Sequence, residues 1–189
     1  MKPIRLITLL AVAVAQTAAA FNFNGIEAGD TRAELSEDRA LTFTPFNGQI
    51  EDYVGSHFQN LIFKPEIFEI GNHGFKGIEA MLGLFHDDEL LAVVIHYVKP
   101  PNADVARRLQ LAILRKYESP NYERFDKISK TRNYLPKNFN NEWKDGRDHY
   151  VIDYVEDRQR ALVFLMADTG RIEDAMEAAA EEAVEGYTF

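Results

Sequence analysis

The sequence predicts an α+β protein, with an antiparallel sheet, helices packed on one face, and an element order that leaves open a tandem of two helix–hairpin repeats. Three observations lead there. The runs Leu90–Val98 and Ala161–Met166 are short, rich in β-branched and aromatic residues and bounded by turn residues, as strands are. Asp145-Gly146, set between two further extended runs, is a hairpin signal. Segments with helical spacing, 103–117 between two groups of strands and the stretch after Asp168 at the close of the chain, do not alternate with single strands.

The chain opens with MKPIR, where Lys2 and Arg5 precede the apolar run Leu6–Ala15 and the small residues Ala18 and Ala20. That order reads as a secretory signal peptide (residues 1–20) cleaved after Ala20, which predicts a periplasmic or secreted protein. The apolar run is too short for a membrane span, which needs about 20 residues. Two halves follow, 21–100 and 101–189, read together as one compact domain. In the first, Thr31 and Glu34 form a capping box for a short helix ending near Arg39, and Gly25 and Gly29 set the turns before it. Residues 46–60 read mostly as loop. Ile62–Ile70 and Phe75–Phe85 read as extended runs separated by the turn Gly71–Gly74, and His86–Glu89 turns into the strand 90–98.

In the second half Asn102 caps a helix over 103–117, and Ser119-Pro120 ends it. Its cations Arg107, Arg108, Arg115 and Lys116 read as a solvated face. Residues 121–140 read as a long connection without regular period. Strands around Asp145-Gly146 and over 161–166 come next, and Asp168 or Thr169 caps a last helix whose outer face is nearly all Glu.

Composition narrows the function. The 189 residues include no cysteine, so disulfides, a thiol nucleophile and zinc–thiolate sites are excluded. Phe21 stands where an exported lipoprotein carries its acylated cysteine, so no lipid anchor is expected. The formal charge is −9, and removing the leader's two cations takes it to −11. Such a charge disfavours nucleic acid and anionic lipid surfaces.

Three groups of residues invite a functional reading. His86, Asp87 and Asp88 cluster imidazole with carboxylates, and His73 joins them only if neighbouring turns stack, but the spacing matches no metal motif, so no metal or other cofactor is predicted. His149 and Asp153 share one strand face and offer an acid/base pair, with Glu156 nearby. Tyr97, Trp143, Tyr150 and Tyr154 lie on or beside strands. On a sheet face left open by the helices they would form a recognition surface, and on the covered face they would fill the core.

Gly25-Ile26-x-x-Gly29-x-Thr31-x-x-Glu34-Leu35, the turn Phe85-x-Asp87-Asp88-x-Leu90, and the later "LRKYESP" and "EWKDGRDHYVIDYV" together resemble exported bacterial domains of the beta-lactamase-inhibitor-protein-like group. That group includes small outer-membrane assembly lipoproteins. The resemblance implies two-layer helix-and-sheet units, sometimes in tandem, that bind other proteins without catalysis. The chain departs from the group in lacking both a lipidated and a disulfide-forming cysteine.

The expected function is therefore an exported module that binds a protein partner in the cell envelope or outside the cell through its sheet. The alternatives are a small metal- or carboxylate-dependent hydrolase using His86 with Asp87 or His149 with Asp153, and a carrier of a small apolar ligand in a closed cavity.

Overall fold

A computed structural model of the chain describes residues 21–48, 60–131, 138–155 and 162–185. The expected leader, most of the 46–60 loop and Glu156 lie outside them. The architecture is α+β, with a seven-stranded antiparallel sheet and, among the described residues, four helices.

The first described residues already belong to the core. β1 (Asn22–Phe23) and β2 (Ile26–Glu27) make a small ribbon. Its turn, Asn24-Gly25, has positive φ at both positions, the geometry that matches strand twist in a two-residue hairpin loop. The ribbon buries Phe21, Phe23 and Ile26, and Phe23 meets Phe75 edge to face at 5.4 Å.

Helix α1 (Arg32–Arg39) starts with the predicted capping box: the Glu34 N–H donates to Thr31 Oγ1 at 3.2 Å, and the Thr31 N–H to Glu34 Oε2 at 2.9 Å. The Thr31 N–H and then its hydroxyl, both donating to the Glu34 carboxyl, hold it below its ordinary range. Ala40, left-handed at φ +54, ends the helix.

β3 (Thr42–Pro45), β4 (Glu66–Gly71), β5 (Ile78–His86) and β6 (Glu89–Tyr97) then run as a meander. Asp87 and Asp88, both at positive φ, turn β5 into β6. Asn102 Oδ1 accepts the Val105 N–H at 3.0 Å to open α2 (Ala103–Lys116), as predicted.

Residues 122–131 form a helix, α3 (Tyr122–Thr131), where a connection without period is predicted. Tyr122 and Phe125, one helical turn apart, pack on the core and make an amphipathic face in a short, charge-rich segment. β7 (Asn138–Asp145), β8 (Asp148–Val155), β9 (Leu162–Asp168) and α4 (Thr169–Glu185) complete the order.

Within the sheet the strands lie β3-β4-β5-β6-β9-β8-β7. The last strand of each half thus meets the other at the centre, with Ala92 opposite Ala167 and Tyr97 opposite Leu162. One face carries Met81, Val93, Ile95, Ile152, Phe164 and Met166, and it shares a core with Leu35 of α1, Ile113 and Leu114 of α2, and the β1–β2 ribbon. The opposite face carries Leu82, Leu84, Val94, Val151 and Leu165, and Ile172 of α4 packs against it. Helices therefore lie on both faces, which corrects the expectation of one. β9 leads directly into α4, so the helix leaves toward the face that Ile172 covers.

Because the ribbon rings sit in the core, Phe23→Ala is expected to cost about 3 kcal/mol. Thr44→Ala on the exposed edge should stay within about 0.5 kcal/mol. Urea unfolding of the two variants beside the parent measures both.

Candidate functional site

The four aromatic residues proposed for recognition lie on the face that α1 and α2 cover. Trp143, Tyr150 and Tyr154 are buried and Tyr97 is half-buried. Trp143 stacks on Tyr150 at 5.1 Å, Tyr117 from the end of α2 stands 5.4 Å from Tyr150, and Phe164 lies beneath them. The Trp143 Nε1–H donates to the Tyr117 carbonyl at 3.2 Å, and next to it Gln110 of α2 donates to Asn141 of β7. Burial raises the Tyr97 hydroxyl to about 12 and also pushes up that of Tyr117. The rings therefore fasten α2 to the second half of the sheet, which corrects the reading of an open aromatic surface.

The histidine clusters are separated. His86 packs at a tilt against Phe63, ring centroids 4.4 Å apart, with its Nε2 3.8 Å from Asp87, while Asp88 is tied to Arg32 of α1. Arg32 in turn lies 4.3 Å over the Phe68 ring and 3.4 Å from Glu66, so the acidic turn is a brace for α1. His73 accepts the Phe75 N–H at the far end of β5, about 30 Å away at strand rise. Burial holds its imidazole below the usual range.

His149 Nε2 is 2.7 Å from Glu142, whereas Asp153 lies four residues along the same strand, about 13 Å away. His86 on β5 and His149 on β8 are three strand spacings apart, about 14 Å. Of the two proposed acid/base pairings, His149 with Asp153 is not assembled and His86 meets Asp87 only on an exposed turn, and no group of three His, Asp or Glu able to hold a metal is found among the described residues.

What does converge is a set of charges at the sheet end where β8 begins and β9 finishes. Asp148 and Asp168 are directly opposite in register. Asp168, 2% exposed, caps α4 by accepting the Arg171 N–H at 3.0 Å, and it also accepts Arg147 Nε at 3.1 Å. The Arg147 carbonyl receives the Thr169 N–H at 2.9 Å and its hydroxyl at 2.8 Å. Arg171 bonds Glu89 at the start of β6 and its guanidinium lies over Gly29, whose φ of +89 and close neighbour leave no place for a side chain.

Beside this clasp, Asp148 Oδ2 accepts the Tyr150 hydroxyl at 2.5 Å, while Oδ1 is buried without a hydrogen-bond partner among the described residues. Burial raises the Asp148 carboxyl to about 6, helped by the neighbouring charges of Asp168 and Asp145 and opposed by the Tyr150 bond. Of these residues the sequence reading marks only Asp168, as a helix cap. The Asp145-Gly146 hairpin signal places Arg147 and Asp148 beside a turn, but their meeting with Asp168 depends on the β8–β9 register.

Asp168→Ala removes a cap worth about 1 kcal/mol and a charge-assisted bond worth about 1.5–3 kcal/mol. A loss of about 3 kcal/mol is expected in urea unfolding at pH 7, and about half of that for Asp168→Asn, which keeps the capping oxygen.

Comparison of the chain with protein-family models, with curated proteins and with solved structures finds no match.

Proposed function

We propose that the protein is an exported, non-catalytic binding module that takes an extended segment of a partner protein along the outer edge of β7. The inequality of the sheet's two edges carries this reading. β3 has four residues and finishes at Pro45, a short, blunted edge of the kind that resists strand addition. β7 has eight residues without proline, and its Asn140, Glu142 and Lys144 are exposed.

Its backbone is oriented for pairing. Asp145 and Asp148 flank the two-residue turn and so face each other as a hydrogen-bonded pair. Counting back by twos, Trp143 and Asn141 bond β8. The N–H and C=O groups of Lys144, Glu142, Asn140 and Asn138 point away from it, a ladder half that an added strand completes.

Export rests on the order of charge, apolar run and small residues in 1–20. Binding in place of catalysis agrees with the resemblance to the beta-lactamase-inhibitor-protein-like group. It agrees also with the separate engagement of His86 by Phe63 and of His149 by Glu142. The centre of the sheet is closed on both faces, so the β7 edge and the polar flank beside it are where a partner reaches backbone.

A photo-crosslinker placed at Glu142 or Lys144 is expected to capture a discrete envelope protein, and one at Thr44 on the β3 edge is not. Asn140→Pro, which deletes an outward N–H and leaves the β7–β8 bonds in place, should abolish capture with little change in thermal stability. Equal capture from Thr44, or capture that survives the proline, contradicts the reading.

A further inference from the structure

The charges at the β8–β9 end do more than cap a helix. Asp148 is 9% exposed, directly across the strand pair from Asp168, and its only hydrogen bond among the described residues comes from the Tyr150 hydroxyl. Carboxylates facing each other in an antiparallel pair have Cα atoms about 5 Å apart, so both cannot be ionised without repulsion. Asp168 is the one that engages the cations: it accepts Arg147, the Arg171 backbone and, at 3.5 Å, the Arg171 guanidinium. Among the described residues Asp148 pairs with no cation: Arg147, its chain neighbour, points instead to Asp168 and Asp174.

We propose that Asp148 is a proton-operated latch: with its proton in place the Arg147–Asp168–Arg171 clasp holds the β7–β8 hairpin to α4, and loss of the proton loosens that clasp. Ionised Asp148 competes with Asp168 for the Arg147 guanidinium and adds a second negative charge beside the capping carboxylate. The groups that set the balance come from every element at this end. They are Asp145 of β7, Arg147 of the turn, Tyr150 of β8, Asp168 of β9, and Arg171 and Asp174 of α4; Glu89 of β6 completes the set by holding Arg171. Asp145, Gly146 and Arg147 are exposed, so the proton exchanges with solvent through the turn.

The sign is opposite to that of a salt-bridged carboxylate. The folded protein holds the Asp148 proton more tightly than the unfolded chain does, so the latch strengthens as pH falls from about 6 toward 4 and is looser, though still formed, above that window.

The test is carboxyl carbon NMR together with amide exchange on the full chain. The Asp148 carboxyl should titrate with a midpoint near 6. The Thr169 and Arg171 amides, corrected for intrinsic exchange, should exchange at least about threefold faster at pH 7.5 than at pH 5, consistent with local opening of a low-stability unit. Asp148→Asn retains an acceptor for Tyr150 and should remove the pH dependence. Tyr150→Phe, which deletes the bond favouring the charged form, should move the midpoint upward. A midpoint in the ordinary range near 4, or a pH dependence that persists in Asp148→Asn, overturns the proposal. Should Asp148→Asn not fold, the parent titration and the direction of the Tyr150→Phe shift decide it.

Discussion

Where β6 meets β9, the two halves of the chain are joined by an antiparallel ladder running from Ala92–Ala167 to Tyr97–Leu162, closed on both faces. Val93, Ile95, Phe164 and Met166 turn toward α1, α2 and the N-terminal ribbon, while Val94 and Leu165 turn toward the face where α4 places Ile172. Each such side chain contributes about 1.5–3 kcal/mol on leaving water. A seam without a polar face has no stable solvent-exposed form, so neither half can present its last strand alone. The mirrored strand order, β4-β5-β6 against β9-β8-β7, follows from that requirement.

With the centre dry, charge and backbone valence are pushed to the margins. On the α1 side Arg32 gathers Asp88 and Glu66 over the Phe68 ring, so the β5–β6 turn is braced to the first helix. On the α4 side Arg147 and Arg171 gather around Asp168 and brace the β7–β8 turn to the last helix. The two arrangements differ in one respect that matters. The first leaves its carboxylates partly in water, whereas the second buries Asp148 beside Asp168, where a single proton changes the charge balance. The outer strands are likewise unequal, a short proline-ended β3 against a long β7, so the sheet has one edge suited to a partner.

Much of this was legible in local chemistry. The Thr31–Glu34 box, the Asn102 cap, the Asp145-Gly146 hairpin and the apolar strand, predicted at 90–98 and found at 89–97, each depend on neighbours within a few residues and lie within a residue of where the sequence places them. What was not legible depends on long-range register or on which face a helix takes. Trp143, Tyr150 and Tyr154 alternate correctly, but only the position of α2 decides that their face is buried beneath it. The opposition of Asp148 and Asp168 spans twenty residues of chain and is fixed by strand pairing alone. α3 eluded the pattern because its apolar face is narrow and set among charges. Phe21 and Phe23 belong to no helix or strand that the sequence analysis places and are nonetheless core, since Asn24-Gly25 folds them back onto it.

Native-state hydrogen exchange across β6 and β9 tests the joining seam most directly. Amides of Val93, Ile95, Phe164 and Met166 are predicted to exchange only through global unfolding, with one common free energy equal to that from denaturant titration. If the β6 amides and the β9 amides open with distinct free energies below the global value, the halves are separable units and the account of a single shared core is wrong.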